Sequence, residues 1–191
     1  TAGDFTTQLG HGIALSLRKL PEVGADNALR GGRLDWQGEH LAVTALLGLV
    51  NTGNVDPISL RHIDDPEDLV VGAQAQLAAT DRVSIGVLGS LLTPRERLLP
   101  DATDWTLTSG ALVGLDDVLG TMRISAEVDV QQRTLAGVPR QGAAAFLEAN
   151  LRLGDATLLL EALWLADLEV KGSRNSATGA RFDYNQPPTL E

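Results

Sequence analysis

The chain has 191 residues, a formal net charge of −10 and no cysteine. With 43% hydrophobic and 21% charged residues, it is too apolar for a disordered chain and too polar for a helical membrane bundle. The acidic balance and the lack of a basic stripe argue against a nucleic-acid partner, and the absence of cysteine removes disulfide scaffolds and thiolate metal sites.

The uncharged run at residues 41–55 is shorter than the ~20 apolar residues of a membrane-spanning helix, but barrel strands hide their lipid face behind alternation. Residues 1–10 hold no basic leader followed by an apolar stretch, so an exported protein is expected to be a mature chain or a clipped piece.

The first predicted strand is 5–19, with Leu9, Ile13, Leu15 and Leu17 on one parity and Ala14, Ser16 and Arg18 on the other. A loop at 21–28 leads to strand 30–38, where Leu34 and Trp36 alternate with Arg33, Asp35 and Gln37. A tight turn through Gly38 and Glu39 precedes strand 41–50, and the polar segment 51–67 follows. Strand 68–79 sets Leu69, Val71, Ala73, Ala75 and Leu77 against Gln74 and Gln76. Thr80-Asp81 turns into strand 82–92, and loop 93–103 into strand 104–115.

After a turn at Asp116-Asp117, strand 118–133 carries Met122, Ile124, Ala126, Val128 and Val130 on one parity, and Arg123, Ser125, Glu127 and Asp129 on the other. Loop 134–140, strand 141–153, the Gly154-Asp155 turn and strand 156–171 complete the series, and 172–191 reads as a long loop. Segments 143–153 and 156–170 are rich in Ala, Leu and Glu, which favours a helical hairpin. Alternation decides for strand, because the apolar even positions from Leu158 to Val170 would encircle a helix and leave no stripe.

Connections thus alternate long and short, as in outer-membrane barrels, and 9–16-residue strands are long enough to cross a bilayer. The expected fold is an all-β, antiparallel, up-and-down transmembrane β-barrel with about nine strands visible. Its apolar parity would face lipid, with Trp36 and Trp105 near strand ends where interfacial aromatics belong. Its polar parity would line the interior through Arg18, Arg33, Asp35, Gln74, Gln76, Arg123, Glu127, Asp129, Glu148, Arg152 and Glu161. Nine is odd, whereas single-chain bacterial barrels have even strand numbers, so an incomplete portion of a larger barrel is expected.

Chemical motifs are sparse. His11, His40 and His62 lack ligand spacing, and Ser residues stand near Asp and His without a recognisable pattern. Asp64, Asp65, Glu67 and Asp68, near Asp56, could offer calcium oxygen ligands but lack an ordered Asp/Gly loop. Gly10-His11-Gly12 and Arg30-Gly31-Gly32 do not join a strand to a helix, so they read as bends or close approaches. Glu127, Glu148 and Glu161 could form a carboxylate constellation; a cross-strand salt-bridge network with Arg123 and Arg152 is the plainer reading.

Leu9-Gly10-His11-Gly12-Ile13-Ala14-Leu15-Ser16-Leu17-Arg18, Ala28-Leu29-Arg30-Gly31-Gly32 and the ending Phe182-Asp183-Tyr184-Asn185-Gln186-Pro187-Pro188-Thr189-Leu190-Glu191 together resemble a family of large bacterial outer-membrane barrels of unknown function. The resemblance implies the N-terminal part of such a barrel, with more barrel after it, and brings no catalytic residues. The expected protein is one barrel domain over 1–191, in the bacterial outer membrane, with membrane lipid, other envelope proteins or the remaining strands as partners. It would be porin-like, a transporter or an envelope scaffold, not an enzyme, with no cofactor and no metal. A soluble barrel or sandwich binding an apolar ligand or a partner protein, with Ile124, Val128, Leu147 and Leu160 pointing inward, is the alternative. An outer-membrane enzyme with a lumen carboxylate site is the third.

Overall fold

Alternation along the chain becomes a nine-stranded antiparallel sheet in the computed structural model, which describes residues 1–17, 19–20, 25–50, 59, 61, 67–96, 103–174 and 181–185. In chain order the strands are β1 (Ala2–Phe5), β2 (Thr7–Leu9), β3 (Leu15–Leu17), β4 (Lys19–Leu20), β5 (Ala25–Asp26), β6 (Leu29–Gln37), β7 (Leu41–Val50) and β8 (Asp68–Thr80). They continue as β9 (Val83–Thr93), β10 (Trp105–Val118), β11 (Met122–Leu135), β12 (Val138–Leu153), β13 (Ala156–Ala166), β14 (Lys171–Arg174) and β15 (Arg181–Asp183). The sheet runs β1-β6-β7-β8-β9-β10-β11-β12-β13, a meander of consecutive hairpins with β1 added beside β6. Three two-stranded pieces, β2-β3, β4-β5 and β14-β15, stand apart from it. The sheet does not close: among the described residues, β1 and β13 are its two edges.

Register sorts the side chains by chemistry. One row across the meander reads Trp36, Val43, Ala75, Val87, Ala111, Val128, Ala145 and Trp164, apolar at every strand. The adjacent row, one residue along and on the opposite face, reads Asp35, Thr44, Gln74, Leu88, Gly110, Asp129, Ala144 and Leu165. The apolar face is bare: Val128 is 55% exposed, Leu160 57% and Trp164 58%. The other face is covered over its centre, where Glu127 and Asp129, either side of Val128, are 0% exposed, while Leu159 and Leu165 on the edge strand β13 are 49% and 43% exposed. A period-two strand with one face covered can only give this result.

The cover is the chain itself. Between β1 and β6 the backbone leaves the sheet and crosses its inner face as the β2-β3 hairpin. The Gly10 N–H donates to Gln74 Oε1 on β8 at 2.8 Å, and the next N–H, of His11, donates to Glu127 Oε2 on β11 at 2.6 Å. In a flat sheet β8 and β11 lie three strand spacings apart, about 14 Å. Consecutive residues are only about 3.8 Å apart, so the inner face must be concave and its side chains convergent. The C-terminal segment fills the same trough: Tyr184 is fully buried, and its carbonyl accepts the Ser16 N–H at 2.7 Å. The main core, including Leu9, Leu15, Leu29, Val50, Val70, Val170 and Tyr184, therefore lies between the concave face and these two segments.

Several sequence expectations are corrected. Residues 5–19 do not form one strand: Gly10 (φ 54°) and Gly12 (φ 88°) turn the chain, and Leu9, Ile13, Leu15 and Leu17 are buried in the trough, not turned outward. The expected loop 134–140 is a two-residue turn, with Ala136 (φ 51°) and Gly137 (φ 75°) both left-handed as a tight hairpin requires. The expected turn at Asp116-Asp117 is a bulge, and the chain reverses at Leu119-Gly120-Thr121 instead. Strand 156–171 ends at Ala166, because left-handed Asp167 (φ 49°) flips the chain and sends Leu168 and Val170 into the trough. The expected long loop 172–191 carries most of the β14-β15 hairpin and buried Tyr184. No helical hairpin forms: β12 and β13 are strands.

Candidate functional site

Ten of the eleven interior candidates share the concave face. Arg33, Asp35, Gln74 and Gln76 come from β6 and β8, Arg123, Glu127 and Asp129 from β11, and Glu148, Arg152 and Glu161 from β12 and β13. Arg18 lies outside the described residues, as do His62, Asp56, Asp64 and Asp65. The sheet does not bring the ten together at one point. Glu127 and Asp129 sit under the N-terminal hairpin, whereas Arg123 and Arg152 lie exposed toward the end that carries the Leu119-Gly120-Thr121 and Gly154-Asp155 turns.

The expected salt-bridge network is not formed. Arg123 pairs with Asp116, and Arg33 with Asp35 at 2.8 Å. Glu148 and Glu161 stand opposite one another in register, with no ion pair among the described residues. The physical reason is reach: Arg123 meets the acid in the bulge beside it before it can reach across the strands.

In its place stands a relay that sequence spacing does not reveal. Glu127 Oε2 accepts the backbone N–H of His11 and lies 2.7 Å from His11 Nδ1. His11 Nε2 is 3.2 Å from Ser125 Oγ, and the ring packs against Phe146 at a centroid distance of 4.7 Å. With Nδ1–H donated to the carboxylate, Nε2 accepts the serine hydroxyl, so one tautomer satisfies both partners. Ser125 and Glu127 are two apart on β11 and share a face. Only a bend at Gly10-His11-Gly12 can lower an imidazole between them. A Cβ on Gly10 would overlap the Glu127 carboxyl group, so this glycine marks a close approach of backbone to acid.

The order Ser125–His11–Glu127 is that of a nucleophile, a base and an orienting acid. The surroundings are those of a clamp. The imidazole is wedged beneath the hairpin against Phe146, and two clefts open away from it, around Arg133 and around Arg152. Glu127 Oε1 and both Asp129 carboxyl oxygens are buried without a hydrogen-bond partner. A second clamp holds the C-terminal segment. Buried Asp68, read from sequence as one of a cluster of acids without an ordered calcium loop, accepts the N–H groups of Arg95 (3.0 Å) and Ser173 (2.8 Å) and the hydroxyl groups of Ser173 and Tyr184. Each of its two oxygens accepts two of these bonds.

No family model matches the chain, and comparison with curated proteins and with solved structures finds no match.

Proposed function

We propose that this chain is part of the wall of a bacterial outer-membrane β-barrel, stoppered on its concave side by its own N- and C-terminal segments, with a passive envelope role. One observation carries the reading: the convex row from Trp36 to Trp164 is apolar at every strand from β6 to β13 and uncovered, while Glu127 and Asp129 are buried on the opposite side. In water, a contiguous apolar surface of this extent would drive association. In lipid it is the natural exterior of a barrel strand. The soluble alternative needs Ile124, Val128, Leu147 and Leu160 to point inward, yet all four lie on the convex face, Ile124 half-buried and the other three 47–57% exposed.

A free sheet edge in hydrocarbon would leave backbone groups unpaired at several kcal/mol each. The reading therefore includes further strands beside β13, from a longer chain or another protein. The hairpin pinned by Glu127 favours a closed or gated interior over an open pore. The resemblance to large outer-membrane barrels points the same way. Envelope fractionation tests the reading: the protein should leave the membrane only in detergent and migrate faster on a gel before boiling than after. Detergent-free solubility as a monodisperse species would refute it.

A further inference from the structure

We infer that the end of the trough beside the Ala136-Gly137 turn holds a binding site for a phosphate-type anion, centred on Arg174 and Arg181. A cleft of about 450 Å³ opens there, lined by Arg133, Lys171, Arg174 and Arg181 against Asp104 and Glu169. Two of the cations are matched: Arg133 pairs with Glu169 at 2.7 Å and Lys171 with Asp183 at 2.8 Å. The other two are not. Arg174 and Arg181 stand directly opposite each other in the β14-β15 hairpin, and among the described residues neither guanidinium has an acid partner. Glu96 takes the backbone N–H of Arg174, not its side chain.

Like charges directly opposite across a strand pair destabilise it, so this hairpin carries a cost that a shared anion would remove. Donors stand ready: Arg181 Nη2 and Arg133 Nε are buried without a hydrogen-bond partner. An unmade bond at a buried guanidinium is expensive, and the planar fork of arginine matches the oxygens of a phosphate group. Asp104 adds the complementary element. Its Oδ1 accepts the Ala136 N–H at 2.7 Å, and its buried Oδ2 is unpartnered, an acceptor suited to the P–OH of a singly protonated phosphate. The shared ligand chemistry is therefore a phosphate or phosphomonoester, either free or carried on a lipid headgroup.

The site stands independently of the membrane reading and is tested on the full chain in detergent or in plain buffer. Thermal melting is followed with inorganic phosphate, and with micelles containing a phosphomonoester lipid, for the native chain and for R174Q/R181Q. The native midpoint should rise by several degrees with at least one probe, and the double variant should lose the response while keeping its β-sheet circular dichroism. Response to lipid alone assigns the headgroup; response to inorganic phosphate assigns the free anion. Without either probe the double variant should melt no lower than native, since it relieves a repulsion. Should that variant fail to fold, R174K/R181K, which keeps charge but loses the fork, should bind at least tenfold more weakly. Equal shifts in native and variant chains, or none in either, would overturn the site.

Discussion

Residues 9–17 and the meander strand β11 carry the same kind of alternation and meet opposite fates. In β11, Val128 and Val130 look outward and Glu127 and Asp129 look into the trough. In the N-terminal segment Leu9, Leu15 and Leu17 look inward and are buried. The difference lies in what each segment has to cover. The meander strands from β6 to β12 pair with neighbours on both sides, so their apolar parity forms one side of a sheet; the N-terminal segment leaves the sheet at Thr7 and can be held only by burying leucines against Leu46, Val70 and Leu92. Alternation shows that two faces differ. It does not say which face meets which surroundings.

The comparison breaks most sharply on Leu15. Leu15→Ala should cost about 2–5 kcal/mol, the range for emptying a leucine site in a packed core, and the loss should be equal in detergent and in lipid. Urea unfolding in both media checks it; a loss confined to lipid would put Leu15 on the wrong side. Val128→Lys should cost about 2–4 kcal/mol, the figure for a cation at mid-membrane on a barrel exterior, but only where acyl chains surround the protein. Equal folding of V128K and native chain in lipid vesicles would contradict the outward assignment.

Gly10→Ala sharpens the account of the clamp. Its positive φ and the overlap with Glu127 should together cost about 1–3 kcal/mol. Hydrogen exchange should then rise at residues 9–17 while β9–β12 stay protected. Uniform loss of protection would mean that hairpin and sheet unfold as one unit. Tyr184→Phe is the mildest test. It removes one of four hydrogen bonds on Asp68 and should lower stability by about 1 kcal/mol, read as a shift in urea midpoint. A drop of several kcal/mol would mean that Asp68 depends on that hydroxyl.

Much of the sheet was legible because period-two patterning is local. Strand 41–50 appears with its expected bounds, and 68–79 and 82–92 within a residue. The misplaced boundaries share one physical cause, a residue in the left-handed region: Gly10 and Gly12 in the hairpin, Asp117 and Leu119 near the third turn, Ala136 in the fourth hairpin, Asp167 at the end of β13. Four of these are not glycine, and two of the four, Leu119 and Ala136, carry no turn signal. The trough was legible as a set of residues and not as a site. Glu127 and Asp129 were expected on the inner face, but His11, 116 positions from Glu127, reaches that acid only after the sheet curls. Asp68 was hidden for the same reason, its partners Ser173 and Tyr184 lying far along the chain.

All three tryptophans, Trp36, Trp105 and Trp164, fall on the outward parity, which makes their fluorescence the most direct test of the sheet's orientation. In vesicles of lipids brominated along the acyl chain, the emission should be strongly quenched, while aqueous iodide should have little effect. Strong iodide quenching with no response to bromine would place the convex face in water and contradict the account.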